Sequence, residues 1–182
     1  MISSLRENPY ALETAYLSVI TFDSSARQDV PLTEIASFNR PDLRASGTTA
    51  LGQALDLVAA KAEEEVVKTT LEKKGDWRPL VFIMTDGEPT EDISAGLARF
   101  KNQKWGIVVA CAAGPRADIE TLKRITDNVV SLDSTDSATF AQFFKWLTAS
   151  VTTGSQKVEE GGGEPGGLSE LPPPPPEVNI IL

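Results

Sequence analysis

The segment Leu80-Val81-Phe82-Ile83-Met84-Thr85-Asp86-Gly87-Glu88-Pro89-Thr90 decides the fold class. Five successive apolar residues, 80–84, predict a strand buried on both faces, the kind found inside a parallel sheet. The run ends at Thr85-Asp86-Gly87, where Gly87 permits a turn and Pro89 blocks further pairing. Asp86 therefore stands at the carboxyl end of a central strand, the edge of an open α/β sheet where ligands bind. An Asp-Gly pair after a strand also has a plain use, in which the carboxylate caps the turn or the next helix.

Working outward, the flanking sequence alternates strand and helix. Residues 16–22 are β-branched and aromatic, and a more polar segment at 26–32 carries Pro31, which suits an edge strand; together they predict an antiparallel hairpin. From Ala50 a helical pattern sets Leu51, Leu55, Val58, Ala62 and Val66 on one face and fades near Lys73-Lys74-Gly75. A helix at 92–101, a second two-sided strand at 105–113, a helix at 118–126 and a short strand at 128–132 follow. Phe140, Phe143, Phe144 and Leu147 mark a final amphipathic helix whose apolar side chains are core. At the other end, residues 1–8 read as the end of a helix with Pro9 as its stop.

The domain is expected over residues 1–151, and residues 152–182 form a Gly/Pro-rich acidic tail without the apolar content for a core, so disorder is expected there. The prolines 172–176 favour a polyproline II rod serving as a spacer. The apolar tip at 178–182 is expected to fray, with docking on the protein's own sheet or on a partner as the less favoured reading.

Composition removes several function classes. The chain of 182 residues is 41% hydrophobic, and no apolar run approaches the roughly 18 residues of a membrane span. Its start does not resemble a signal peptide, and the single cysteine, Cys111, lies in an apolar run as a buried thiol, so a reducing, cytoplasmic location is expected. Histidine is absent, which excludes Ser-His-Asp and Cys-His nucleophile systems and His-ligated zinc. A net charge of −9 disfavours nucleic acid as a partner.

Two positions converge. Thr49 precedes the long helix and Asp86 ends the neighbouring strand, so alternating topology sets both on the carboxyl-end rim of the sheet. A hydroxyl and a carboxylate there are hard oxygen ligands suited to Mg²⁺ or Mn²⁺. From spacing alone, N-capping of the helix by Thr48 or Thr49 competes with that role. Asp133-Ser134-Thr135-Asp136-Ser137 also follows a strand, and helix capping by Ser134, Thr135 or Asp136 accounts for it.

The segments 46–55 (Ser-Gly-Thr-Thr-Ala-Leu-Gly-Gln-Ala-Leu) and 82–90 (Phe-Ile-Met-Thr-Asp-Gly-Glu-Pro-Thr) resemble the von Willebrand factor type A domain, most closely its bacterial tellurium-resistance-associated, TerY-like members. The resemblance implies a doubly wound, Rossmann-like α/β sheet with an antiparallel edge hairpin. It also implies a metal-ion-dependent adhesion site, built from an Asp-x-Ser-x-Ser loop, a Thr and an Asp, of which Thr49 and Asp86 match the last two. Such domains are protein-binding modules, in which a partner's acidic side chain completes the shell of Mg²⁺, and are not usually enzymes. The loop and the first, central strand that carries it have no counterpart here. An N-terminally truncated domain is therefore expected, with an unpaired slot of roughly 10 Å between strands 16–22 and 80–84 and weak or absent metal affinity. An Mg²⁺-dependent phosphoryl-transfer enzyme and a non-binding relic are the competing readings. The first lacks a Walker glycine loop, a second carboxylate at nucleophile spacing and an evident general base.

Overall fold

The computed structural model describes residues 2–43, 46–72, 74–159 and 171–181. Helices α1 (Ile2–Glu7) and α2 (Pro9–Thr14) lead into a hairpin of β1 (Tyr16–Phe22) and β2 (Ala26–Glu34), and α3 (Leu51–Glu65) follows. Then come β3 (Val81–Thr85), α4 (Ser94–Lys101), β4 (Val108–Ala112), α5 (Ile119–Ile125), β5 (Val129–Leu132), α6 (Ser137–Glu159) and β6 (Val178–Ile181). The strands form two sheets: the antiparallel pair β1-β2, and a four-stranded sheet in the order β3-β4-β5-β6. β3, β4 and β5 are parallel, and β6 closes the far edge antiparallel to β5. The α/β class and the mostly parallel sheet are as expected; the hairpin, expected at the edge of that sheet, forms a two-stranded sheet of its own, and the antiparallel edge strand is β6.

Alternation along the strands builds two cores, one on each face of the larger sheet. Ile83, Ala110, Ala112 and Val129 pack with Leu51, Leu55, Leu97, Phe100 and Leu122 of α3, α4 and α5. Their strand neighbours Val109, Cys111 and Val130 face the other way, onto Phe143, Trp146 and Leu147 of α6, joined by Leu171 and Val178 from the tail. Such two-sided cover is what parallel strands require. A third cluster of Leu5, Ala11 and Ile35, with Val151 against it, fastens α1 and α2 beside α6.

Several expectations need correction. The strand at 80–84 is not buried on both faces, since in β3 only Ile83 and Thr85 are buried. Its alternate residues do point into the two cores, but among the described strands β3 has a neighbour, β4, on one edge alone. The strand enclosed on both sides is β4, whose last four residues are all buried. The helix from Ala50 ends at Glu65, short of Lys73-Lys74-Gly75. There Val66 turns extended, and a clasp forms in which Val67 N–H donates to Asp76 Oδ2 at 2.8 Å and Asp76 N–H to Val67 O at 2.8 Å. β-Branched Val66, Val67, Thr69 and Thr70 resist helix continuation through their stiff χ1. Pro9 ends α1 and also opens α2 as its first residue, with Asn8 Oδ1 accepting Ala11 N–H at 3.0 Å.

The tail departs most from expectation. α6 runs past residue 151 to Glu159, and the tip expected to fray is β6, paired residue for residue with β5 from Val129↔Ile181 to Leu132↔Val178. Trp146 Nε1 donates to Pro172 O at 2.8 Å, and Leu171 and Val178 are buried. Docking on the protein's own sheet is thus the outcome. The disorder expected of the Gly-rich stretch 160–170 lies outside the described residues.

Candidate functional site

The carboxyl ends of β1 and β3 and the amino end of α3 make one rim. β1 delivers Asp23, whose carbonyl accepts Ala50 N–H at 2.8 Å and whose Oδ1 accepts Ser25 N–H at 3.2 Å. Ser46 Oγ donates to Asp23 Oδ2 at 3.5 Å, and Thr48 N–H donates to Ser24 Oγ at 3.4 Å. Gly47 sits between them at φ +79°, and a Cβ there would lie 2.5 Å from Ser24 Oγ. The glycine is therefore required twice over, for its backbone angle and for the close approach.

Thr49 is joined reciprocally to the β3–α4 loop: Thr90 N–H donates to Thr49 O at 3.1 Å and Thr49 N–H to Thr90 Oγ1 at 3.3 Å. Thr49 Oγ1 lies 3.0 Å from where a Cβ on Gly87 would sit, so the hydroxyl abuts the residue after Asp86. The two sequence-predicted residues are brought to the same rim. Asp86 does not hold its turn; Thr85 does, with Oγ1 donating to Gly87 O at 3.2 Å and accepting Gly87 N–H at 3.4 Å. The Asp86 side chain is 73% exposed, with the Arg116 guanidinium 3.8 Å away. An exposed pair at that distance contributes little to stability.

Neither Thr48 nor Thr49 caps α3. Ala50 stands at the N-cap without a side-chain bond, and Glu91, from the loop after β3, supplies the cap instead. Its Oε1 accepts Gln53 N–H at 2.9 Å, while Oε2 accepts Gln53 Nε2 at 3.0 Å. A carboxylate at a helix amino end is favoured by the exposed N–H groups and the dipole. Asp23, Ser24, Thr90 and Glu91 were not singled out in the sequence. Asp23-Ser24-Ser25 carries no local signal beyond that of a turn, and Glu91 reaches its partner across 38 residues.

The segment 133–137 behaves as read: Asp136 Oδ1 accepts Thr139 N–H at 2.8 Å at the start of α6, and Ser134 Oγ donates to Asp136 Oδ2 at 2.6 Å. Those bonds, the one from Ser134 foremost, hold the Asp136 carboxyl below its usual range. Cys111 is fully buried, and desolvation pushes its thiol up to about 12, the environment of an inert core thiol.

A family model described as the von Willebrand factor type A domain matches residues 1–146. The chain belongs to this family. Type A domains are commonly protein-interaction modules, and the rim just described is the carboxyl-end edge at which α/β sheets of this kind bind ligands. A solved structure, the conserved hypothetical protein BatB from Bacteroides thetaiotaomicron, is similar with a TM-score of 0.48 and 20% identity, over 87% of this chain and 83% of that one. No curated protein matches. No helix among the described residues is long and apolar enough to cross a membrane.

Whether the rim fits the divalent cation implied by the type A resemblance follows from its donors. Mg²⁺ takes about six oxygens in near-octahedral geometry. Thr49 and Asp86 offer a hydroxyl and one carboxylate, the Asp23 carboxylate on the same rim is already engaged by Ser25 N–H and Ser46 Oγ, and among the described residues no group of three or more Asp, Glu or Cys side chains is arranged to hold a metal. These residues do not make a metal centre on their own.

Proposed function

We propose that this chain is a cytoplasmic protein-binding module of the type A class whose binding surface is the rim around Thr49 and Asp86. In this reading the two residues are the portion of a metal-ion-dependent adhesion site that this chain supplies, and an acidic side chain of the partner completes the shell of Mg²⁺. The observation that carries it is the seating of Thr49 Oγ1 against Gly87, beside an Asp86 carboxylate 73% exposed and open to a partner. With these donors alone the cation is held weakly or not at all.

The remaining ligands belong to a strand that enters between β1 and β3. Supporting this, β1 is paired with β2 alone and β3 with β4 alone among the described strands, and β3 stays half-buried in spite of its apolar sequence. Open apolar edges are a recognised invitation to strand addition. The association with tellurite or related stress resistance rests on the motif residues 46–55 and 82–90 and concerns context only.

The test is thermal unfolding with and without Mg²⁺, on this chain and on one extended upstream in the same reading frame. The proposal expects a Mg²⁺-dependent rise in Tm in the extended protein that disappears in Asp86→Ala. No rise in either protein would remove the cation from the account, and a rise in the extended protein that survives Asp86→Ala would place the metal elsewhere.

A further inference from the structure

The far edge of the larger sheet offers a second surface. β6 is the outermost strand, bonded to β5 on one side, and no described strand lies on the other. Which groups it turns outward follows from the ladder. Asp133 N–H donates to Glu177 O at 3.1 Å, so alternation turns the backbone of 177, 179 and 181 toward β5 and that of Val178 and Ile180 away from it. Val178 N–H is already taken, donating to Pro175 O at 2.9 Å. Ile180 N–H and C=O have no hydrogen-bond partner among the described residues.

The side chains single out the same residue. Val178 is buried in the core over α6, Asn179 Nδ2 donates to Asp133 Oδ1, and Ile181 packs against the core on the opposite face. Ile180 stands opposite Val130 and so shares the α6 side of the sheet with it, but Val130 is fully buried and Ile180 is 46% exposed.

Edge strands are ordinarily guarded by charge, proline or bulges, and β2, the outer strand of the hairpin, has all three. It carries Arg27, Asp29 and Glu34, includes Pro31, and pairs with β1 through two shifts of register. Its Leu32 N–H is also capped from α3, donating to Glu65 Oε2 at 2.7 Å. β6 has none of the three guards. Val178–Ile181 reads Val-Asn-Ile-Ile, without charge, proline or glycine, in unbroken register with β5. The edges of β1 and β3 that face away from β2 and β4 are those assigned above to an entering strand.

We propose that β6 is a self-association strand, pairing antiparallel with β6 of a second copy of this chain about a twofold axis at Ile180. The strand's own chemistry selects that occupant. With Ile180 opposite Ile180 of the second copy, each N–H donates to the other's C=O, so an identical set of groups satisfies both outward pairs. The two exposed Ile180 side chains become one cross-strand apolar pair. An uncharged, β-branched run meets its own copy without like-charge contact, although each chain carries −9. Both β6 edges are consumed in the pair, so association stops at two.

The test is analytical ultracentrifugation of the full chain. A short strand edge lies at the weak end of protein interfaces, so dimer should accumulate between about 0.01 and about 1 mM. Added salt should favour it, because two chains of −9 repel each other and screening lowers that penalty. Ile180→Pro removes the outward N–H and spares the bonds to β5, and should weaken the dimer by at least about tenfold. Ile180→Lys and Ile180→Glu each set like charges opposite one another and should be monomeric, with β5 amides still protected from exchange. An equimolar mixture of those two variants should recover the dimer, now with opposite charges paired. A chain monomeric over the whole range would overturn the proposal and leave the edge to a strand of another protein. A dimer indifferent to all three substitutions, no recovery on mixing, or species larger than a dimer would overturn it as well.

Discussion

Gly96 in α4 tests how the rim is assembled. A Cβ at this position would lie 1.9 Å from Gly52 O and 2.8 Å from Gly52 C, both backbone atoms of α3. The reciprocal position is also tight, since a Cβ on Gly52 would be 2.9 Å from Ile93 Cα. The two helices touch backbone to backbone where α3 begins, and this contact aligns Gln53 with Glu91 and Thr49 with the loop after β3. Gly96→Ala sets two effects of opposite sign against each other. In an exposed helix the change stabilises by about 1 kcal/mol through propensity. Here no side chain can rotate away, so α3 and α4 must part by more than an ångström, and overpacking of that kind costs about 1–3 kcal/mol or more. With backbone on both sides the upper end applies, leaving a net loss of ~2 kcal/mol.

For a domain of this size that loss lowers Tm by roughly 4–8 °C. Thermal unfolding followed by circular dichroism, with urea titration alongside, measures it. Ala98→Gly, at an exposed site of the same helix, calibrates the propensity term and should cost about 1 kcal/mol. A Gly96→Ala protein as stable as the parent, or more so, would show that the helices do not touch backbone to backbone and that this contact does not align the rim.

Two further outcomes follow from named contacts. Asp118 Oδ1 accepts Thr121 N–H at 3.1 Å and Oδ2 accepts Thr121 Oγ1 at 2.6 Å, bonds that hold its carboxyl below the usual range. Asp118→Ala should cost about 1 kcal/mol at neutral pH. Because the folded pKa is the lower one, the contribution is complete above the unfolded value of about 3.9 and is lost as pH falls through the folded value. Urea titrations of parent and variant should therefore converge in strong acid, and a constant difference would contradict the assignment. Leu171→Ala should destabilise by about 2–4 kcal/mol and Val178→Ala by about 2 kcal/mol, with lost amide-exchange protection in β5. A segment merely trailing the domain would produce neither change.

The fold class was legible because it rests on local patterning. Runs such as Val108–Ala112 and the Phe140/Phe143/Leu147 stripe declare period and burial without reference to distant residues. The convergence of Thr49 and Asp86 on one rim was legible too, because alternating strands and helices put successive strand ends on the same side. The details that failed depend on partners remote in sequence. Asp76 captures the amide after Val66, where α3 ends, and Glu91 takes the capping role that Thr48 and Thr49 were read for. At Val66 the β-branched run already resists the helix and Asp76 adds to it; at the amino end the capping preference of Thr48 and Thr49 is outbid by a carboxylate from another segment.

The two apolar strands that misled, β3 and β6, err in opposite directions for one physical reason. Apolar residues in an extended run say that a strand wants cover, not whether its backbone edges find a neighbour. Leu80–Met84 reads as buried on both faces, yet among the described strands its backbone is bonded on one side, and of its side chains only Ile83 is fully buried. The tip after the prolines reads as idle, yet β5 needs an outer neighbour, since an unpaired buried edge leaves N–H and C=O groups without partners. β6 provides it, and the chain that leads into it is held by Trp146 Nε1 donating to Pro172 O and by a turn closed by Val178 N–H on Pro175 O at 2.9 Å. The same requirement applies to β3, which is bonded on one side among the described strands, and makes its other edge the place where a further strand would add most to this domain.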